Sequence, residues 1–272
     1  MRSRHGTKWL PSLVLGATLL LVWWIVTTFG FVDTHFLPSP QETIERLISG
    51  LRSGYLVDAT AATLLAALAG CALATVIGVP LGYLVGKSRA FSRMIQPYLA
   101  ASQAIPAVAV APLLTIWIGY GRISIVVLCT VMVIFPVVVS TSVGIRHIDA
   151  DILGAAKLDG ASGLTLVRTM ELPLAAPAIL AGLRTGFTLS ITGAVVGEMI
   201  IGGNGLGMTL LSAQGSGDIK GMFASIVLLA ASAMTIYGLI SFVESRVNYL
   251  VRDTAGSHKW RIRAEAYRNH EK

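Results

Sequence analysis

Apolar and polar positions alternate in long blocks along this chain, not with the short period of a half-buried strand. Six stretches each carry about 20 apolar residues, the length that crosses a hydrocarbon core of about 30 Å. They lie at 9–32, within 59–86, within 94–121, at 123–145, at 172–201 and at 221–243. The second and third carry no charge, and the fifth is interrupted by Arg184 and Glu198. The pattern predicts an all-α integral membrane protein with six transmembrane helices. Between the first two spans, Leu37-Pro-Ser-Pro40 precedes a stretch in which Ile44, Leu47, Ile48 and Leu51 recur at helical spacing. That stretch reads as a short amphipathic surface helix. The third span holds Pro97, Pro106 and Pro112, each lacking a backbone donor. Irregular backbone at membrane depth survives only inside protein or beside a water-filled cavity. The segment is therefore a candidate pathway wall, with a plain kinked packing helix as the alternative.

Composition agrees with this pattern. Of 272 residues, 54% are hydrophobic and 13% charged, with a mean hydropathy of +0.72. Ordinary soluble domains carry about 25% charged residues, so a soluble enzyme, a disordered chain and a disulfide scaffold are all excluded. The net charge of +7 would suggest nucleic acid in a soluble protein. Here the basic residues group beside apolar segments and set orientation instead. Sixteen Lys and Arg fall in the N-terminus, the 87–93 loop, the 146–171 loop and the tail, against four (Arg46, Arg52, Arg122 and Lys220) on the other side. This places both termini in the cytoplasm. The expected organisation is an N-terminus at 1–8, a first helix at 9–32 and an extracytoplasmic loop with the amphipathic helix at 33–58. A core at 59–245 with a cytoplasmic loop at 146–171 follows, then a basic tail at 246–272. The first apolar stretch is too long for a signal-peptide core and no A-x-A site follows, so it reads as a retained span.

Small residues mark helix faces. Gly78, Gly82 and Gly86 recur in the second span, and Gly182, Gly186, Gly193 and Gly197 in the fifth. Such faces let another backbone approach closely, within one chain or across a dimer. Candidate chemistry is sparse. Cys71 and Cys129 lie far apart in apolar runs, and none of the five histidines falls inside a span, so no metal, haem or redox site is expected. Gly86-Lys87-Ser88 resembles the end of a phosphate loop, but position 81 is leucine where the first glycine belongs. No catalytic residue and no cofactor are expected on this chain. Arg184 reads as snorkelling from near a span end. Glu198 precedes a Gly202–Gly207 turn whose N–H groups a carboxylate can accept from; a gating role is the other reading.

The loop between spans four and five is the most informative segment. Asp149 or Asp151 can cap a short helix there and Gly160 can end it. Gly154-Ala155-Ala156 is followed after three residues by Gly160, and nine residues later by Met170-Glu171-Leu172-Pro173. This resembles the EAA motif of ABC importer permeases, with full agreement in spacing and glycine in place of the motif's glutamate at 154. Leu37–Pro40, Gln103-Ala-Ile-Pro106, Ala111-Pro-Leu-Leu114, Trp117-Ile-Gly-Tyr-Gly121, Ala181-Gly-Leu-Arg184 and Gly197-Glu-Met199 with Gly205-Leu-Gly207 resemble the nitrate, sulfonate, taurine, thiamine-precursor and riboflavin branch.

The resemblance implies a type I importer permease fold, a five-helix core plus one N-terminal helix. It implies a homodimer, two cytoplasmic ATPase subunits and an extracytoplasmic solute-binding protein. ATP and Mg would sit on the ATPase, and the permease would alternate access for a small polar solute in the bacterial inner membrane. Carried onto this chain, coupling to the ATPase falls to Asp151, Gly154, Ala155, Ala156, Lys157, Gly160, Leu172 and Pro173. The pathway or gate falls to Gln103, Pro106, Trp117, Thr188, Thr192, Glu198, Gly205 and Gly207. An ATP-independent secondary transporter and a membrane scaffold are the competing classes. The first would show inverted repeats and more buried ionisable residues.

Overall fold

The computed structural model describes residues 10–33 and 35–270, and among these the chain is helical with no strand. The helices are α1 (Leu10–Thr28), α2 (Pro40–Arg52), α3 (Tyr55–Lys87), α4 (Arg89–Ala104), α5 (Ala107–Trp117), α6 (Arg122–Arg146), α7 (Ala150–Leu158), α8 (Gly163–Leu166), α9 (Leu172–Ile201), α10 (Leu206–Gly215) and α11 (Ile219–His270). A π turn, Val167–Glu171, joins α8 to α9. Among the described residues, four helices are long and apolar enough to cross a membrane: α3, α6, α9 with its preceding turns, and α11 up to Val247. The expected third span is a fifth if α4 and α5 are counted together. The expected first span appears as α1, whose described apolar stretch Val14–Thr28 is shorter than a full crossing. The residues expected at 1–8 lie outside the described part.

The third span corrects the kinked-helix reading. α4 and α5 meet at 99°, and of the three prolines only Pro106 marks the break. Ile105 leaves the helical region (φ −85°, ψ 116°) ahead of it, as the clash with a following proline ring dictates. Pro97 and Pro112 lie inside α4 and α5.

Two compact units make up the chain. The larger contains residues 63–203 and those from 232 on. Its centre is α6, which is flanked by two glycine faces. Gly70, Gly78, Gly82 and Gly86 of α3 meet Cys129, Val137, Thr141 and Ile145 of α6 in parallel register. Gly182, Gly186, Gly193 and Gly197 of α9 meet Ser140, Val133, Met132 and Ile125 in antiparallel register. The glycine faces are thus spent on packing within this chain. In the absence of a hydrophobic drive between helices in lipid, close backbone approach of this kind is what holds them together. Side chains add to it: Ser190 Oγ donates to the Ala67 carbonyl at 2.7 Å, and Thr130 Oγ1 lies 3.3 Å from that of Gly70.

The smaller unit holds residues up to 62 together with 204–231. Leu56, Ala59 and Leu206 form its core, with Leu47, Leu228 and Leu229 packed around them. The amphipathic helix is present as α2, opened by a capping box between Ser39 and Glu42. Its apolar residues Ile44, Ile48 and Leu51 are exposed. Its polar side is clasped instead. Arg46 donates to Asp218 Oδ2 through Nε at 3.0 Å and Nη2 at 2.7 Å, and Lys220 pairs with Glu42 at 2.6 Å. The Arg46 guanidinium holds the Asp218 carboxyl below its ordinary range. The Lys220 ammonium, with the Ser39 backbone, does the same for Glu42.

Candidate functional site

The expected coupling loop forms a short helix with defined ends. Asp149 caps α7 by accepting from the Asp151 N–H at 3.0 Å. Gly160 follows the helix with φ +88°, a left-handed conformation glycine adopts at no steric cost. Asp151, Gly154, Lys157 and Gly160 are exposed and Ala155 is half-buried. Leu158, absent from the expected set, is 91% exposed. A Cβ placed at Gly154 meets nothing within 4 Å, so the position where the motif carries glutamate is open surface. Ala156 departs from expectation. It is buried, on a helix that packs against the π turn. Ala156 therefore shapes the loop's seat, and a tryptophan there would disturb packing instead of blocking an exposed face.

The motif's closing Leu172-Pro173 has a local structural consequence. Pro173 cannot donate into the helix ladder. The preceding turn widens, and the Leu172 N–H donates to the Val167 carbonyl five residues back. This π turn carries Glu171 inward, where it is 1% exposed. Tyr83 OH donates to Glu171 Oε2 at 2.7 Å, and Lys87 Nζ pairs with Oε1. Sequence reasoning missed this cluster. The available signal was the i, i+4 placement of Tyr83 and Lys87 on the last turn of α3.

The expected pathway residues separate into three groups. Gln103 and Pro106 are exposed at the α4–α5 break, and Trp117, 71% exposed, ends α5. Thr188 and Thr192 are exposed on α9 together with Thr185, one stripe of hydroxyls off the glycine face. Each of these hydroxyls bonds back to the carbonyl four residues earlier. Glu198 does not join that stripe. It is buried, and Thr63 Oγ1 of α3 donates to its Oε2 at 3.0 Å. Gly205 caps α10, and it and Gly207 are buried. Arg184 also differs from the snorkelling reading. Its Nη1 lies 2.9 Å from Glu244 Oε2, and its guanidinium stacks 5.2 Å from the Tyr237 ring centroid.

Among the described residues no group of three or more His, Cys, Asp or Glu is placed to hold a metal ion. What the arrangement provides is a capped, exposed helix, a broken span and a hydroxyl stripe on a glycine-packed scaffold.

Comparison with known proteins bears on this arrangement. A family model described as "Binding-protein-dependent transport system inner membrane component" matches residues 78–249. The riboflavin transport system permease protein of Chloroflexus aurantiacus is 39% identical over 90% of this chain and 92% of its own length. The taurine transport system permease protein of Escherichia coli is 31% identical over 84% and 82%. Among solved structures, the MetNI methionine ABC transporter in an inward-facing conformation superposes with a TM-score of 0.62. It is 21% identical and covers 72% of this chain and 95% of its own, a likeness of fold.

Proposed function

The chain belongs to the family of binding-protein-dependent inner-membrane transport components, and from that premise we propose how its parts divide the work. It is the membrane-spanning permease subunit of an ABC importer for a small solute. Members of this family work with an ATPase and a solute-binding protein. In our reading α7 is the element the ATPase grips, through Asp151, Gly154, Ala155, Lys157, Gly160 and the exposed Leu158. Leu172 and Pro173 anchor that helix by forming the π turn. ATP and Mg act on the ATPase, and this chain needs no cofactor. The observation that carries the docking assignment is a capped helix that leaves a 91% exposed leucine at its end.

Two copies of the chain form the pathway, lined by the α4–α5 break and the Thr185, Thr188 and Thr192 stripe of α9. Gln103, Pro106 and Trp117 border it. Glu198 serves the outer gate by holding α9 to α3, and Gly205 and Gly207 shape the start of α10. The excess of basic residues on one set of loops orients both termini to the cytoplasm. Hydroxyl and aromatic groups, with the one neighbouring cation, Arg184, already paired to Glu244, suit a neutral heterocycle better than a sulfonate. A riboflavin-type solute is therefore the first to assay.

The test is purification of the chain with its co-encoded ATPase and binding protein in nanodiscs. ATP hydrolysis is measured with the binding protein empty, or loaded with riboflavin or taurine. Stimulation by riboflavin-loaded protein supports the full reading. Stimulation by taurine alone overturns the solute assignment, and failure of any ATPase to associate overturns the docking assignment.

A further inference from the structure

The buried carboxylate of Glu171 has no part in docking an ATPase, since it is 1% exposed and faces α3. It is nevertheless the best-connected group of the loop. Its two oxygens are taken by Tyr83 OH and Lys87 Nζ, four residues apart on the last turn of α3, with Lys87 Nζ 5.9 Å from the Tyr83 ring centroid. The same end of α3 is tied a second time. Arg146, at the end of α6, donates through Nη2 to the Val85 carbonyl at 2.9 Å and to Ser92 Oγ of α4 at 2.7 Å. Polar bonds therefore run from the π turn to α3, and from α3 through Arg146 to α4, the first half of the broken span.

We propose that Glu171 is a positioning residue for coupling: its bonds to Lys87 and Tyr83 make α3, and through Arg146 the α4–α5 break, follow any displacement of α7. The physical reason is stiffness. α7 is joined to α9 through the four-residue α8 and a π turn, and π turns are among the places where helices kink. A movement imposed on α7 would be absorbed there unless a second link carried it across. A charged, buried group that takes two donors from one turn of α3 is such a link, because removing either donor leaves a carboxylate short of partners.

This inference rests on the coupling role of α7 given above, and the test separates the two. Glu171→Gln keeps the side chain's shape and an acceptor for Tyr83 but loses the ion pair. Lys87→Met loses it from the other side. Both are prepared in the full complex in proteoliposomes, with co-purified ATPase, ATP hydrolysis and solute import measured together. The expected result is intact assembly and continued hydrolysis, with solute imported per ATP reduced about fivefold or more, the low end of site-to-site coupling. Unchanged import per ATP, or a loss that merely tracks loss of assembled complex, overturns the proposal. As the control for the parent reading, Leu158→Asp is tested for ATPase association. If association survives Leu158→Asp, the docking assignment fails independently of Glu171.

Discussion

Adding one methyl group at Gly82 is the sharpest test of the packing that holds the scaffold together. A Cβ there lies 2.6 Å from Thr141 Cβ and 2.7 Å from the Val138 carbonyl oxygen. Carbon atoms rest at about 3.5–4.0 Å, so α3 and α6 must separate by about 1 Å. The helices cannot yield easily, since Arg146 bonds the Val85 carbonyl one turn further on. Overpacking of this kind costs about 1–3 kcal/mol, while replacing glycine by alanine in a helix returns up to about 1 kcal/mol. Because one of the clashing atoms is a backbone oxygen, the upper half of that cost applies, and Gly82→Ala is destabilised by about 1–2 kcal/mol net. Gly193 on α9 is the matched control. Its Cβ would meet Met132 Cγ at 3.4 Å and Cys129 Cα at 3.5 Å, contacts that need little adjustment. Gly193→Ala should be neutral or up to about 1 kcal/mol more stable. The assay is thermal inactivation of detergent-solubilised chain followed by size exclusion, read as the midpoint temperature. Each kcal/mol is worth about 2–4 °C in a chain approaching this size. A Gly82→Ala protein as stable as the parent, or a Gly193→Ala protein the weaker of the two, would refute the close-approach account.

The remaining predictions are narrower. Ala156→Trp should lower the midpoint by overpacking the buried side of α7, at about 1–3 kcal/mol, measured in the same thermal assay without the ATPase. Thr141 Oγ1 is buried and has no hydrogen-bond partner, so Thr141→Val should be neutral or raise stability by about 1 kcal/mol. Thr63→Val should cost about 1.5–3 kcal/mol, the range for a hydrogen bond to a charged group, and unchanged stability would show Glu198 to be held without it. The outer clasp predicts a pH dependence. Asp218 and Glu42 titrate below their ordinary values of 3.8 and 4.5 when folded, so their contribution is full above that range and fades as pH falls through the lower folded-state values. Both pairs are partly solvated, so Asp218→Asn should cost about 1 kcal/mol or less at neutral pH. That difference should shrink in high salt and fall steadily as the pH is taken down through the carboxylate range, measured by unfolding across a series from neutral into acid.

The sequence was legible wherever one local rule decides the outcome. Leu172–Ile201 is read from hydropathy and found as α9, because a long apolar block has one stable form in lipid. The α7 cap and its Gly160 stop are legible for the same reason: Asp149 and Gly160 act on their own neighbours. Four features were not. Three prolines in one span look alike, and only the conformation of the residue before each separates a break from a tolerated kink. Ala155 and Ala156 are equally small, and which of them faces the protein depends on where the π turn sits. Glu171 stands in the sequence only as one of the motif's closing residues, since nothing local reveals that Pro173 widens the turn and swings it inward. Glu244, the partner of Arg184, stands one residue beyond the apolar block assigned to the sixth span. A search confined to charges within spans passes over it.

The surface left over by this packing says more about transport than the hydroxyls alone. Thr185, Thr188 and Thr192 satisfy their own hydroxyls on their own helix, so a lipid environment would tolerate them. The α4–α5 break is different. At the end of α4 the last carbonyls have no next turn to donate to them, and Ile105 and Pro106 are exposed. Backbone of that kind cannot face hydrocarbon, where each unsatisfied group costs several kcal/mol. It must meet water or another protein surface. Helix α5, beyond the break, packs on both α6 and α9, which anchors the break to the same scaffold as the threonine stripe. The glycine faces of α3 and α9 fix that scaffold. The broken span supplies the part of it that requires a wet or covered boundary, the condition a translocation pathway between two copies would meet.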